Sequence, residues 1–99
     1  MKRRDDARGV VLELVGELDV VSAPKLEQHL GEVLPGPHAR IMLDLDGLEF
    51  VDSAGISVLI KAKQDAEAGG RTLVLRRATE QVHRVFAIVG LADWLVDED

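Results

Sequence analysis

The stretch Ile41-Met42-Leu43-Asp44-Leu45-Asp46-Gly47-Leu48-Glu49-Phe50-Val51-Asp52-Ser53-Ala54-Gly55-Ile56 changes its apolar period partway along, and that change decides the fold. Residues 41–45 are nearly all apolar, the pattern of a strand covered on both faces in a sheet with helices against it. Asp46-Gly47 reads as a turn and residues 48–51 as a short extended segment. Beyond Asp52 the apolar residues Ile56, Leu59, Ile60 and Ala66 recur at helical spacing, which predicts a helix from Asp52-Ser53 to about Ala68. Gly69-Gly70 ends it, because glycine accepts the left-handed conformation of a helix terminus.

The same alternation continues on either side. Downstream, Thr72-Leu73-Val74-Leu75 reads as a strand. Thr79 then caps a helix carrying Val82, Val85, Phe86 and Val89, closed by Gly90, and Trp94-Leu95-Val96 adds a short last strand. Upstream, Val10-Val11-Leu12-Glu13-Leu14-Val15 reads as a strand that Gly16-Glu17-Leu18-Asp19 breaks. Ser22 is the expected cap of a helix with Pro24 in its first turn and Ala23, Leu26, Leu30, Val33 and Leu34 on one face. Pro35-Gly36-Pro37 stops that helix. Residues 1–8 are expected to form a short edge strand or a loose end, with a turn at Ala7-Arg8-Gly9, and Asp97-Glu98-Asp99 an acidic tail. The expectation is an α/β fold: one domain over residues 1–99, with a mixed central sheet of about four to five strands packed by three or more helices.

Composition narrows the function. The 99 residues are 46% hydrophobic, enough for one core. A net charge of −6 argues against a nonspecific nucleic-acid or anionic-membrane binder, which needs a basic face. There is no cysteine, so disulfides, thiolate metal sites and cysteine nucleophiles are excluded. No apolar run approaches the about 18 residues of a membrane span. Met1-Lys2-Arg3-Arg4 is followed by Asp5-Asp6 where a signal peptide needs apolar residues, so the expected location is the cytoplasm.

Enzyme signatures are missing. Neither a phosphate-binding loop nor a dinucleotide fingerprint is present. His29, His38 and His83 lie in different elements and read as surface histidines, with no metal expected. Ser53 lacks the Gly-x-Ser-x-Gly of a nucleophile elbow, since Val51 stands at the first glycine position. Asp44, Asp46, Glu49 and Asp52 read as a solvated rim around a turn. The strongest local feature is Asp52-Ser53 at a helix start. Either side chain can cap the helix. An exposed hydroxyl there is also within reach of a kinase, and a phosphate would add about −1.5 to −2 charge beside the Asp52 carboxylate. The helix N-terminus would favour that charge and Asp52 would oppose it, so the effect is a change of surface charge with little refolding.

Taken in order, Gly16-Glu17-Leu18-Asp19, Leu43-Asp44-Leu45 running into Phe50-Val51-Asp52-Ser53-Ala54-Gly55-Ile56, Ala68-Gly69-Gly70 and Val89-Gly90-Leu91 resemble the STAS domain, and more narrowly the bacterial anti-sigma factor antagonists. The resemblance covers nearly all of the chain. It implies a cytoplasmic regulator without enzymatic activity or cofactor. Its partners would be an anti-sigma factor that is itself a serine kinase, and a serine/threonine phosphatase. The unphosphorylated form would bind the anti-sigma factor and free the sigma factor, and phosphorylation would end binding. The modified residue of the family motif falls on Ser53, and Asp19 would lie near it in an acidic, partner-facing patch with Asp52. The expected partner-binding set is Asp19, Val20, Asp52, Ser53, Ala54, Gly55 and Ile56, with Val20 and Ile56 as apolar contacts. Many antagonists carry Ser or Thr where this chain has Ala54, which leaves Ser53 as sole acceptor. The alternative is a STAS accessory subunit of a transporter or stress-signalling scaffold. A small hydrolase using Ser53 is the weakest reading, for no base or oxyanion partner is in sight.

Overall fold

The strand-to-helix reading of the central stretch holds, with one long strand in place of two short ones. The computed structural model describes residues 2–6 and 9–96. Among them the chain forms β1 (Lys2–Asp6), β2 (Gly9–Leu18), α1 (Ala23–Val33), β3 (Arg40–Val51), α2 (Ser53–Ala68), β4 (Thr72–Arg76), α3 (Glu80–Ile88), a 3-10 turn (Ala92–Trp94) and β5 (Leu95–Val96). The expected turn at Ala7-Arg8-Gly9 lies partly, and the acidic tail 97–99 wholly, outside the described residues. The sheet order is β1-β2-β3-β4-β5, with β1 antiparallel to β2 and the other neighbours parallel. Three α-helices on a five-stranded mixed sheet match the expected class.

Strand alternation sorts side chains onto two faces. Val10, Leu12 and Leu14 of β2, Ile41, Leu43 and Leu45 of β3, and Leu73 and Leu75 of β4 share one face. They form a single cluster with Leu26, Leu30 and Val33 of α1, Leu59, Ala62 and Ala66 of α2, and Val82 and Phe86 of α3. Each fully buried leucine in it stabilises the fold by about 1.5–3 kcal/mol. Val11 and Met42, on the opposite face, are also fully buried but stand outside this cluster. The buried Arg76 lies across that face, its Nη1 donating to Met42 Sδ at 3.5 Å. The central strands are thus buried on both faces, against helices on one and with the Arg76 side chain lying over Met42 on the other.

Three local expectations are corrected. Gly16 does not end β2, which runs on to Leu18. Asp46-Gly47 is not a turn but lies inside β3. Both follow from the pairing of β2 with β3: Glu13 faces Asp44, Val15 faces Gly47, Gly16 faces Leu48 and Glu17 faces Phe50, so β3 holds two more residues than β2 over this span. The bulges need a backbone kink, and Gly16 supplies it at φ +85°. The third correction is Ser22, whose side chain makes no capping bond to α1.

Candidate functional site

The site is built where β2 and β3 reach their C-terminal ends, the edge at which open α/β sheets place their binding residues. Asp52 follows β3 in an extended conformation (φ −111°, ψ −172°), and its Oδ1 accepts from the backbone N–H groups of Ala54 at 2.9 Å and Gly55 at 3.1 Å. Asp52 is therefore the N-cap of α2. Ser53 is the first helical residue; its side chain is exposed and forms no hydrogen bond among the described residues. Of the two side chains that the sequence offers as caps, the carboxylate takes that role and leaves the hydroxyl in solvent.

The end of β2 is fastened to this helix start. Asp52 N–H donates to Leu18 O at 3.1 Å. A Cβ on Gly55 would lie 2.6 Å from Leu18 O, 2.7 Å from Leu18 Cγ and 2.8 Å from Val51 Cγ2, so only glycine fits between the helix and both strands. Gly55 is buried, and its place is one of close packing.

Asp19, next in the chain after Leu18, shapes the following loop. Its Oδ1 accepts from the N–H groups of Val21 and Ser22, each at 3.0 Å, and Asp19 O accepts from Ala23 N–H at 2.7 Å. The loop already turns like a helix from Asp19 onward, so Asp19 takes the capping role expected of Ser22. The Ser22 hydroxyl instead donates to Glu17 O at 2.7 Å and accepts from Asp19 N–H at 2.9 Å. The donation from Ser22 N–H is the main influence holding the Asp19 carboxyl below its ordinary range, so it is ionised at neutral pH.

The predicted apolar contacts divide. Val20 is 71% exposed, whereas Ile56 is 7% exposed and belongs to the core cluster, because the α2 face that carries it turns onto the sheet. Ala54 is half-buried. Two exposed apolar residues were not singled out from the sequence: Val21, beside Val20, and Phe50, which pairs in register with Glu17. The signal for Phe50 was an aromatic just before the helix cap, but its outward direction depends on the β3 bulges. The expected solvated rim is also divided. Asp44 is buried, with Oδ2 3.3 Å from Arg77 Nη1, while the exposed Asp46 reaches Arg77 Nη2 at 3.1 Å. His29 and His38 are half-buried, and Arg3 Nη2 lies 3.3 Å from His38 Nε2; His83 is exposed. No group of three or more metal-ligating side chains occurs among the described residues. No described helix is long and apolar enough to cross a membrane.

This arrangement offers a hydrogen-bonded edge with an exposed hydroxyl, two carboxylates and an apolar loop tip, features that suit docking. Comparisons with known proteins agree in kind. The family model described as "Mlab, STAS domain" matches residues 1–97. The anti-sigma F factor antagonist of Lysinibacillus sphaericus is 31% identical over 90 residues, covering 89% of this chain and 76% of that protein. The anti-sigma-B factor antagonist of Bacillus subtilis is 29% identical over 90 residues, covering 91% and 82%. Among solved structures, the anti-sigma factor antagonist SpoIIAA in its unphosphorylated form superposes with a TM-score of 0.86 at 25% identity, covering 99% of this chain and 87% of that one. SpoIIAA of Bacillus in its phosphorylated form gives 0.78 at 24% identity, covering 99% and 90%. With a family model matched over nearly its whole length and a shared overall fold, this chain belongs to the STAS-domain family, with relatives that are anti-sigma factor antagonists.

Proposed function

We propose that this chain is an anti-sigma factor antagonist switched by phosphorylation of Ser53. The unphosphorylated protein binds an anti-sigma factor that is a serine kinase and so frees the sigma factor. The kinase phosphorylates Ser53 and ends binding, and a serine/threonine phosphatase restores it. The reading makes the chain a binding protein with no enzymatic activity, working in the cytoplasm.

The observation that carries this reading is the division of labour at the start of α2: Asp52 caps the helix, and the exposed Ser53 hydroxyl has no structural bond to lose. A phosphate on Ser53 would meet a helix terminus whose N–H groups at Ala54 and Gly55 already serve Asp52. It would stand beside that carboxylate, projecting toward the partner without reorganising the fold. The docking surface on this reading is the edge formed by Asp19, Val20, Asp52, Ser53 and Ala54, joined by Val21 and Phe50. Gly55 and Ile56 support it from below. The relatives named as antagonists, and a fold shared with SpoIIAA in its phosphorylated and unphosphorylated forms, support the same reading.

The test is intact-mass analysis after incubation with the candidate anti-sigma factor and ATP, beside Ser53→Ala. One added phosphate on the wild type, none on the variant, and loss of the complex on modification is the expected result. Stable docking of unmodified and kinase-treated protein alike, with no phosphate added, would replace the switch by the accessory-subunit reading.

A further inference from the structure

The sheet has one long free edge. Among the described residues β1 pairs only with β2, so along its five residues, Lys-Arg-Arg-Asp-Asp, the backbone groups of alternate residues point outward without a strand partner, against two residues at the β5 edge. Exposed edges invite pairing with another chain, and charged side chains are the usual defence. The charges here are not a uniform barrier. The positive residues come first and the negative ones last, which makes the strand complementary to its own reverse.

We infer that β1 is a self-recognition edge, through which two copies of this chain join antiparallel into one continuous ten-stranded sheet. A two-fold axis perpendicular to the sheet must pass through a residue opposite itself, which limits the registers. With Arg4 on the axis, Arg3 faces Asp5 of the second copy and Lys2 faces position 6, each pair occurring twice. The only like pair is Arg4 with Arg4, and each Arg4 Nε is held by its own Glu13 Oε2 at 3.1 Å. An axis at Arg3 would oppose positive residues throughout. An axis at Asp5 would oppose two aspartates and leave one type of complementary pair. Charge therefore selects a single register. Arg3 and Asp5 have side chains 46% and 63% exposed and lie 3.5 Å apart within one strand, so both can reach a second copy, Arg3 exchanging its contact with the half-buried His38 for one across the axis.

Five residues make a small interface, of the weak and reversible class. In this dimer the two β2 strands run in opposite directions, so the two Ser53 edges point to opposite ends of the sheet and both stay open.

Sedimentation velocity of the full chain over a concentration series to about 1 mM tests the inference. The wild type is expected to shift toward dimer. Arg3→Asp and Asp5→Arg each place like charges across the axis and are expected to weaken association at least tenfold. Mixing the two variants restores complementary pairs at both positions and is expected to return association to the wild-type level. Thermal melting of each variant checks that the exposed substitutions leave the fold intact. A wild type that stays monomeric throughout, reversals without effect, or a mixture that fails to recover would each overturn the proposal.

Discussion

The two halves of β3 do different work. Over residues 40–44 the strand pairs in regular register with β4, and over 41–44 with β2, and its core-facing Ile41 and Leu43 are fully buried. Beyond Asp44 it has no β4 partner, carries two extra residues relative to β2, and exposes Asp46, Glu49 and Phe50. Both halves feed the core, the first through Ile41 and Leu43 and the second through Leu45, Leu48 and Val51, but only the second carries exposed residues between its buried ones. The second half, free of one neighbour, can bend so that Val51 delivers Asp52 to the start of α2. Stability is shared along the strand whereas presentation is confined to its second half, so substitutions at regular first-half core positions should spare the docking edge.

The largest expected effect on stability lies in the core, and Leu43 tests it away from the docking edge. Leu43→Ala empties a fully buried site and should cost about 2–5 kcal/mol in denaturant unfolding. A protein that still folds should keep the geometry around Ser53, read from unchanged amide shifts at residues 52–56. If those shifts move as much as core signals do, the halves are coupled and the division fails. Next comes Gly55→Ala, where the new methyl meets Leu18 and Val51 below 3 Å. Overpacking of this kind costs about 1–3 kcal/mol. Here the damage should centre on the docking edge, seen as loss of anti-sigma factor binding at temperatures where the variant is fully folded.

Much of this was legible in the sequence, and the reasons differ by residue. The bounds of α2, the Thr79 cap, whose Oγ1 accepts from Val82 N–H at 3.3 Å, and the apolar stripe of α1 are local signals that the structure repeats; of the α3 stripe Val82 and Phe86 are buried, whereas Val89 lies past the helix end and is 49% exposed. Asp46-Gly47 and Gly16 carried the composition of turns yet form bulges, because a bulge is defined by the register of the opposite strand and not by its own residues. Asp44 looked like part of an exposed rim. Its burial depends on Arg77, thirty-three positions away and held at φ +60°, where residues other than glycine are uncommon. At the site, Asp52-Ser53 was found from type and position. Which of the two caps the helix, and which of Val20 and Ile56 faces outward, required the fold.

Smaller effects sharpen the same boundary. Asp52→Ala removes the cap of α2 and should cost about 1 kcal/mol in unfolding free energy, while Ser53→Ala, which breaks no bond of the described fold, should stay within about 0.5 kcal/mol of wild type. Equal losses for the pair would mean that Ser53 shares the capping role. The smallest change is expected from acid. The Asp19 carboxyl is held below its ordinary range, so its contribution is complete above about pH 4 and is lost as pH falls through the lowered value. Nuclear magnetic resonance between pH 6 and pH 2 should show the amides of Val21 and Ser22 shifting together with that titration while β3 amides hold still. Motion of the β3 amides at the same pH would tie the loop to the core after all.

The strand order has a consequence for how the molecule is made. Every strand of this sheet lies beside its predecessor in the chain, so a polypeptide leaving the ribosome always finds its next partner already synthesised. The Leu18–Asp52 hydrogen bond, the Asp19 loop and the start of α2 all lie within the residues up to Ala68. The docking edge is therefore encoded entirely ahead of β4, α3 and β5, the elements that complete the single core.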